Sequence, residues 1–209
     1  MTLSDPQLAA ALAPYGVRLV SELADSIRKY IHLLLVWNQK INLTTIRDPI
    51  EIVERHFGES MFAIHAVPIQ HGRLADVGSG AGFPGMALKI ACPALQVTLI
   101  EANARKATFL LELKRQLNFT GIEIVRERYE NVGDQILHTD FLTARALGNF
   151  STFLPWARNP LRPSGKVLLW LGAGDAERMQ STAGWVWQDP IFMPRSEKRV
   201  LLIGAPEST

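Results

Sequence analysis

Cysteine is almost absent from this sequence of 209 residues: Cys92 stands alone. One thiol excludes an internal disulfide and points to a reducing compartment. No cluster of Cys and His has zinc-ligand spacing, so no metal is expected. There is no run of about 18 apolar residues, so no membrane span is expected. The first residues carry Asp5 early and lack the basic, apolar and small-residue succession of a signal peptide. A soluble, cytoplasmic protein follows as the expectation. An excess of one charge is lacking too. The 22 Lys and Arg nearly balance 20 Asp and Glu, for a net charge of +2. That balance does not by itself indicate a nucleic-acid partner. Apolar residues, by contrast, are plentiful at 47%. That is ample for a packed core and argues against disorder. The length suits one α/β domain with a helical extension.

The first 70 residues read as helical. Ser4-Asp5-Pro6 resembles a helix start. Leu23, Ile27, Tyr30, Leu34, Trp37 and Ile41 recur at alternating fours and threes, marking a buried stripe on a helix over about 19–40. On that stripe Trp37 reads as core rather than as a stacking platform. Asp48-Pro49, with Glu51 three residues on, starts a further helix that ends before Pro68. From residue 73 strands and helices alternate. Strands are expected at 73–77, 96–101, 122–126, 140–145, 165–171, 186–193 and 199–204, and helices at 84–91, 104–118, 150–159 and 175–181. Apolar strands separated by helices imply a parallel, doubly wound sheet. The last two strands, with no long helix between them, imply an antiparallel hairpin at one end. The tail from Ala205 to Thr209 is expected to fray.

Arg73-Leu-Ala-Asp-Val-Gly-Ser-Gly-Ala-Gly-Phe-Pro-Gly85 carries the most chemistry. A buried strand runs into a glycine-rich turn that opens a helix. Gly78, Gly80, Gly82 and Gly85 permit a sharp turn and leave room for a ligand. Gly80-Ala-Gly82-Phe-Pro-Gly85 also matches the dinucleotide fingerprint G-x-G-x-x-G. A second strand, Gln96-Val-Thr-Leu-Ile-Glu101, ends in an acid about 20 residues past the glycines, where it can accept ribose hydroxyls. NAD and S-adenosylmethionine both offer that ribose. Asp76, before the glycines, suits a cationic ligand group. Pro84 removes an N–H where a diphosphate would want one. Both features favour S-adenosylmethionine over NAD. A cationic cluster over 103–128, with Arg105, Lys106, Lys114, Arg115, Arg126 and Arg128 against Glu112, Glu123 and Glu127, reads first as a solvated face with pairs such as Glu112–Arg115.

Four segments together resemble the RsmG (GidB) family of bacterial 16S ribosomal RNA guanine-N7 methyltransferases. Trp37-Asn-Gln-Lys-Ile-Asn-Leu-Thr-Thr-Ile-Arg-Asp48 is similar to its W-N-x-x-x-N-L-T-x-x-R-D. Arg55-His56 with Glu59-Ser60 is similar to its R-H-x-x-D-S, and Ala144-Arg145-Ala146 to its S-R-A. Asp76 to Gly85 is similar to its D-V-G-[ST]-G-x-G-x-P-G. The resemblance implies a Rossmann-like class I methyltransferase, a seven-stranded, mostly parallel sheet over 71–209 that binds S-adenosylmethionine, with a helical extension over 1–70. Its substrate would be 16S ribosomal RNA or the small ribosomal subunit, and the protein a monomer with neither metal nor membrane partner.

By the same resemblance, Gly78 and Phe83 contact the cofactor beside Asp76 and Gly80. Glu101 takes the ribose, Tyr129 and Glu130 line the adenine pocket, and Arg145 sits beside the methionine end. Asn38, Asn42, Arg55, His56, Lys198 and Arg199 are the implied RNA-side residues, with Arg195 a weaker candidate. The sequence departs from the family pattern at three places. Leu171-Gly172 stands where Lys-Gly is usual, Glu197-Lys198-Arg199 where Glu-Arg-His is usual, and Glu59 where Asp is usual. Guanine N7 carries an in-plane lone pair, so methylation there needs no proton removed beforehand. No general acid or base is therefore assigned. The alternatives are a methyltransferase with another acceptor, an NAD-dependent oxidoreductase and a weakly active cofactor-binding relative.

Overall fold

The computed structural model describes residues 2–207. Its centre is a sheet whose main path runs β3-β2-β1-β4-β5-β8-β6. The strands are β1 (His71–Val77), β2 (Ala94–Ile100), β3 (Ile122–Val125), β4 (Thr139–Arg145), β5 (Leu161–Gly172), β6 (Trp185–Trp187), β7 (Ile191–Phe192) and β8 (Arg199–Pro206). Strands β1 to β5 pair in parallel. β8 runs antiparallel to β5, β6 and β7. The doubly wound, mostly parallel architecture expected from the sequence is the one present. Strand order reverses between β1 and β4, which opens a crevice at their carboxyl ends.

Two details differ from the sequence reading. The strand expected at 186–193 is two short strands, β6 and β7, so the sheet has eight. The break contains Pro190, which has no N–H for a ladder. The tail does not fray at Ala205, because Ala205 and Pro206 pair with Val186 and Trp185. Ser208 and Thr209 lie outside the described residues.

Helices α1 (Asp5–Leu12) and α2 (Ser21–Asn38) precede the sheet. Ser4 caps α1 reciprocally with Gln7, in a capping box. Leu23, Ile27, Tyr30 and Leu34 of α2 are buried as the stripe required, but the helix stops at Asn38 and Trp37 is only half-buried. The segment after Asp48 begins as α3 (Pro49–Ile52), where Asp48 accepts the Glu51 N–H at 2.8 Å. It then widens into a π-helical stretch, Val53–Gly58, before α4 (Glu59–Met61) and α5 (Ala63–Ala66). A π turn shifts every side chain after it out of α register and is common at functional sites. Here it falls on Arg55 and His56.

Against the sheet lie α6 (Gly85–Ala91), α7 (Ala104–Gln116), α8 (Phe150–Ala157) and α9 (Ala173–Gln180). One apolar core joins Leu8, Ile27, Tyr30 and Phe57 of the N-terminal helices to Phe83, Met86, Phe109 and Leu110. The other face of the sheet packs Val77, Leu142, Leu169 and Leu202 against Phe153 and Leu154. No described helix is long and apolar enough to cross a membrane.

Candidate active site

The carboxyl ends of the parallel strands carry the candidate residues. The glycine loop follows β1, Glu101 follows β2, Tyr129 lies four residues past β3, and Arg145 ends β4. The loop is pinned from below: the N–H groups of Gly78 and Ser79 both donate to the Ile100 carbonyl, at 2.9 and 3.0 Å. Glu101 holds it from the side. One carboxylate oxygen accepts the Gly80 N–H at 2.8 Å, and the other accepts the Asn103 N–H at 2.7 Å. Each oxygen keeps a free lone pair, which suits a pair of ribose hydroxyls.

The four glycines have two different duties. Gly78 and Gly80 have φ of +69° and +57°, which favours glycine. A Cβ at Gly80 would meet nothing nearer than the Gly78 carbonyl at 3.7 Å, and one at Gly78 nothing nearer than Leu147 Cδ1 at 3.4 Å. The space before them is open, so they form a cradle in which a ligand can lie against bare backbone. Gly85 is a packing glycine: a Cβ there would lie 2.7 Å from both Asp76 Cβ and Leu99 Cδ2. Gly82 is closed off in the same way by the Tyr30 hydroxyl. The expectation that all four leave ligand room is corrected accordingly. An adenosyl group fits the cradle and the Glu101 lone pairs.

Asp76 also differs from expectation. It is fully buried, with both carboxylate oxygens turned to the chain. Its oxygens accept the Thr143 hydroxyl at 2.8 Å and the Gly85 N–H at 3.1 Å. Burial pushes its carboxyl up to about 6, against the opposing pull of those hydrogen bonds. Asp76 therefore locks the start of α6 to β4. Sequence reasoning missed Thr143, because a threonine inside an apolar strand carries no signal of its own.

Phe83 is buried in a ring stack. Tyr30 lies parallel on it at 4.9 Å between centroids and His56 at 4.8 Å. The Tyr30 hydroxyl donates to the Ala81 carbonyl, tying α2 to the loop. Tyr30 was legible only as a stripe residue. His56 Nε2 pairs with the Thr44 hydroxyl at 2.8 Å, while its buried Nδ1 has no partner among the described residues. Burial, then the charges of Arg145 and Arg55, lowers His56 to about 3, so the ring is neutral at physiological pH.

The largest departure from the sequence reading is Glu59. It is buried, and three arginines converge on it: Arg199 at 2.7 Å, Arg145 at 3.0 Å and Arg55 at 3.1 Å. Arg145 also donates to the Arg55 carbonyl at 2.8 Å. Trp170 Nε1 donates to the Glu59 carbonyl at 2.8 Å, fixing the acid over β5. The sequence marks these residues in separate motifs, and only the Arg55–Glu59 spacing of four hints at a pairing between them. These arginines and Glu59 line a cavity of about 330 Å³ with Leu147 and Leu171. Leu147 borders both this cavity and the Gly78 cradle. Ala146 just before it has φ of +55°, a strained conformation for a residue with a Cβ. Leu171 itself is buried and pairs with Val200, and the next rung pairs Gly172 with Arg199. Arg199 thus brings a cation to the cavity that Leu171 lines.

The remaining candidates are more dispersed. Tyr129 packs edge-on against Trp156 and Phe153, at 4.8 and 5.7 Å, and Glu130 is exposed and paired with Arg128. Asn38 uses its amide on the chain: its oxygen accepts the Leu43 and Thr44 N–H groups, and its nitrogen donates to the Thr44 carbonyl. Asn42 and Lys198 are exposed. Arg195 pairs with Glu54 at 2.5 Å. Among the described residues no group of His, Cys, Asp and Glu could hold a metal ion.

The family model GidB, described as rRNA small subunit methyltransferase G, matches residues 23–187. A ribosomal RNA small subunit methyltransferase G from Stenotrophomonas maltophilia is 38% identical over 204 residues, covering 95% of this chain and 94% of its own. The protein of the same name from Xylella fastidiosa is 40% identical over 178 residues, covering 83% and 82%. Among solved structures, a SAM-dependent methyltransferase from Aquifex aeolicus superposes with a TM-score of 0.63 at 14% identity, covering 77% of this chain and 94% of that one. The last comparison concerns the fold alone.

Proposed function

The chain belongs to the GidB family of rRNA small subunit methyltransferase G proteins, and from that premise we propose that it methylates N7 of a guanine in small-subunit (16S) ribosomal RNA, with S-adenosylmethionine as cofactor. The observation that carries the reading is the junction at Leu147, where the open cradle of Gly78 and Gly80 adjoins the cavity of Arg55, Arg145 and Arg199. The first takes an adenosyl ligand and the second a polyanion.

The bound cofactor supplies an electrophilic sulfonium methyl group. In this reading Gly78 and Gly80 admit it to the backbone, Glu101 accepts its ribose hydroxyls, and Tyr129 and Glu130 border its adenine. Arg145 stands at its methionine end. Asp76 is a positioning residue that acts through Gly85, and Phe83 one held by Tyr30 and His56. Arg55, His56, Lys198 and Arg199 face the RNA, with Arg199 supplying charge beside Leu171. Asn38 and Asn42 belong to the loop that covers this side. Catalysis rests on holding N7 in line with the methyl group, since alignment alone is worth up to about 7–11 kcal/mol. Neutral His56 adds no charge next to a base that becomes cationic. The buried carboxylate of Glu59 offsets part of the arginine charge there. The protein is taken to act as a monomer in the cytoplasm, a setting in which the free thiol of Cys92 is stable.

The test is transfer of a labelled methyl group from S-adenosylmethionine to purified ribosomal subunits that lack the family's modification. Label is expected in small subunits and not in large ones, and replacing Glu101 with Ala is expected to weaken S-adenosylhomocysteine binding by about 1–3 kcal/mol in calorimetry. Unlabelled small subunits would remove the RNA half of the reading, and unchanged affinity would remove the cofactor half.

A further inference from the structure

A second surface at the carboxyl end of α2 has the makings of a nucleotide site. A cavity of about 350 Å³ is lined by Val36, Trp37, Lys40, Ile41, Arg105 and Thr108. That volume is within the range of small-ligand sites. Trp37 is half-buried, with Phe109 edge-on at 5.8 Å holding the indole in place. Phe109 is itself fully buried, so the platform is fixed from beneath. Lys40 and Arg105 are exposed and, among the described residues, neither side chain has an ion-pair partner, and no acid lines the cavity. Elsewhere in the cationic segment Arg115 pairs with Glu112 and Arg128 with Glu130. Arg105 is thus an uncompensated cation beside an aromatic ring.

The segment that carries Lys40 and Ile41 is also held in shape. Asn38 binds the backbone at Leu43 and Thr44, closing the loop, and Thr44 then reaches His56. The loop therefore runs from Trp37 to the ring stack on Phe83. This organisation accounts for Trp37, Asn38 and Thr44 as a unit.

We infer that Trp37, Lys40 and Arg105 form a distal RNA subsite that takes an unpaired nucleotide away from the methylated one. The base stacks on the indole, and Lys40 and Arg105 take the flanking phosphate. Stacking on a fixed aromatic with cations alongside is how single-stranded RNA is held without sequence preference. The inference rests on the reading of small-subunit RNA as substrate.

The test compares the wild type with the double variant Lys40→Glu, Arg105→Glu, both surface positions that leave the core intact, and with Trp37→Leu. With small subunits as substrate, KM for the subunit is expected to rise at least about fivefold in each, with kcat at saturation and the affinity for S-adenosylhomocysteine unchanged. In filter retention of the same RNA, the double variant should lower the slope of log affinity against log salt by about 1–2. An unchanged KM and an unchanged slope in the double variant would overturn the subsite while leaving the methyltransferase reading intact. A wild type that transfers no methyl group, together with a lowered slope in the double variant, would support the subsite and sink the methylation reading. A wild type that retains no RNA overturns the subsite.

Discussion

Glu59 sits at the centre of the arginine cluster, and its environment makes it costly to remove. Its carboxylate is 1% exposed and faces Arg55, Arg145 and Arg199. Taking away one partner of a buried ion pair leaves uncompensated charge. Glu59→Gln is expected to lower unfolding stability by about 2–4 kcal/mol in urea denaturation, less than for a fully buried pair because Arg55 and Arg199 remain partly hydrated. A loss under about 0.5 kcal/mol would show that the arginines do not depend on it. His56 yields a prediction of opposite kind. Its pKa, about 3 in the fold, lies below the free-histidine value. The unfolded chain therefore binds a proton that the fold does not, and His56 makes stability rise with pH between about 3 and 6.5. Its ring proton resonances should stay constant from pH 5 to 8 in NMR titration. A midpoint near 6.5 would mean that the ring is solvated and able to act as an acid.

At the scale of elements, the glycine loop separates binding from packing. Gly80→Ala projects a methyl group into the open cradle at a positive φ, so it should weaken S-adenosylhomocysteine binding with a stability cost of about 1–2 kcal/mol from the backbone. Gly85→Ala forces a Cβ against Asp76 and Leu99 and should lower stability by about 1–3 kcal/mol through overpacking. Calorimetry and thermal unfolding of the two variants read these effects separately, and equal loss of affinity and stability in both would erase the distinction. The sequence displayed the loop, the acid after β2 and the alternation of strands because each has a local signature. It concealed what depends on contacts far along the chain. Gly85 looks like Gly80 until Leu99 is placed behind it. Asp76 looks like a ligand group until Thr143, 67 residues on, is hydrogen-bonded to it. The apolar stripe of α2 continues in the sequence through Trp37 to Ile41, yet the helix stops at Asn38, whose side chain bonds the following loop. The π-helical stretch at Arg55 and His56 had no sequence mark at all.

At the scale of the molecule, the helical first third and the sheet share one core, so the pocket is built from both. Tyr30 and His56 come from the helices and sandwich Phe83 of the sheet's glycine loop. Arg55 and Glu59 come from the helices and meet Arg145 and Arg199 at strand ends. The net charge of +2 does not reveal that three arginines meet at this carboxyl edge, around Glu59 and with Asp175 beside them. The central claim is that this edge brings one guanine N7 in line with the methyl group of S-adenosylmethionine. The most direct test is nucleoside mass spectrometry of small-subunit RNA after incubation with the protein and methyl-labelled cofactor. The account predicts the label in 7-methylguanosine at one position. Label in any other nucleoside, or spread over many guanines, would contradict it.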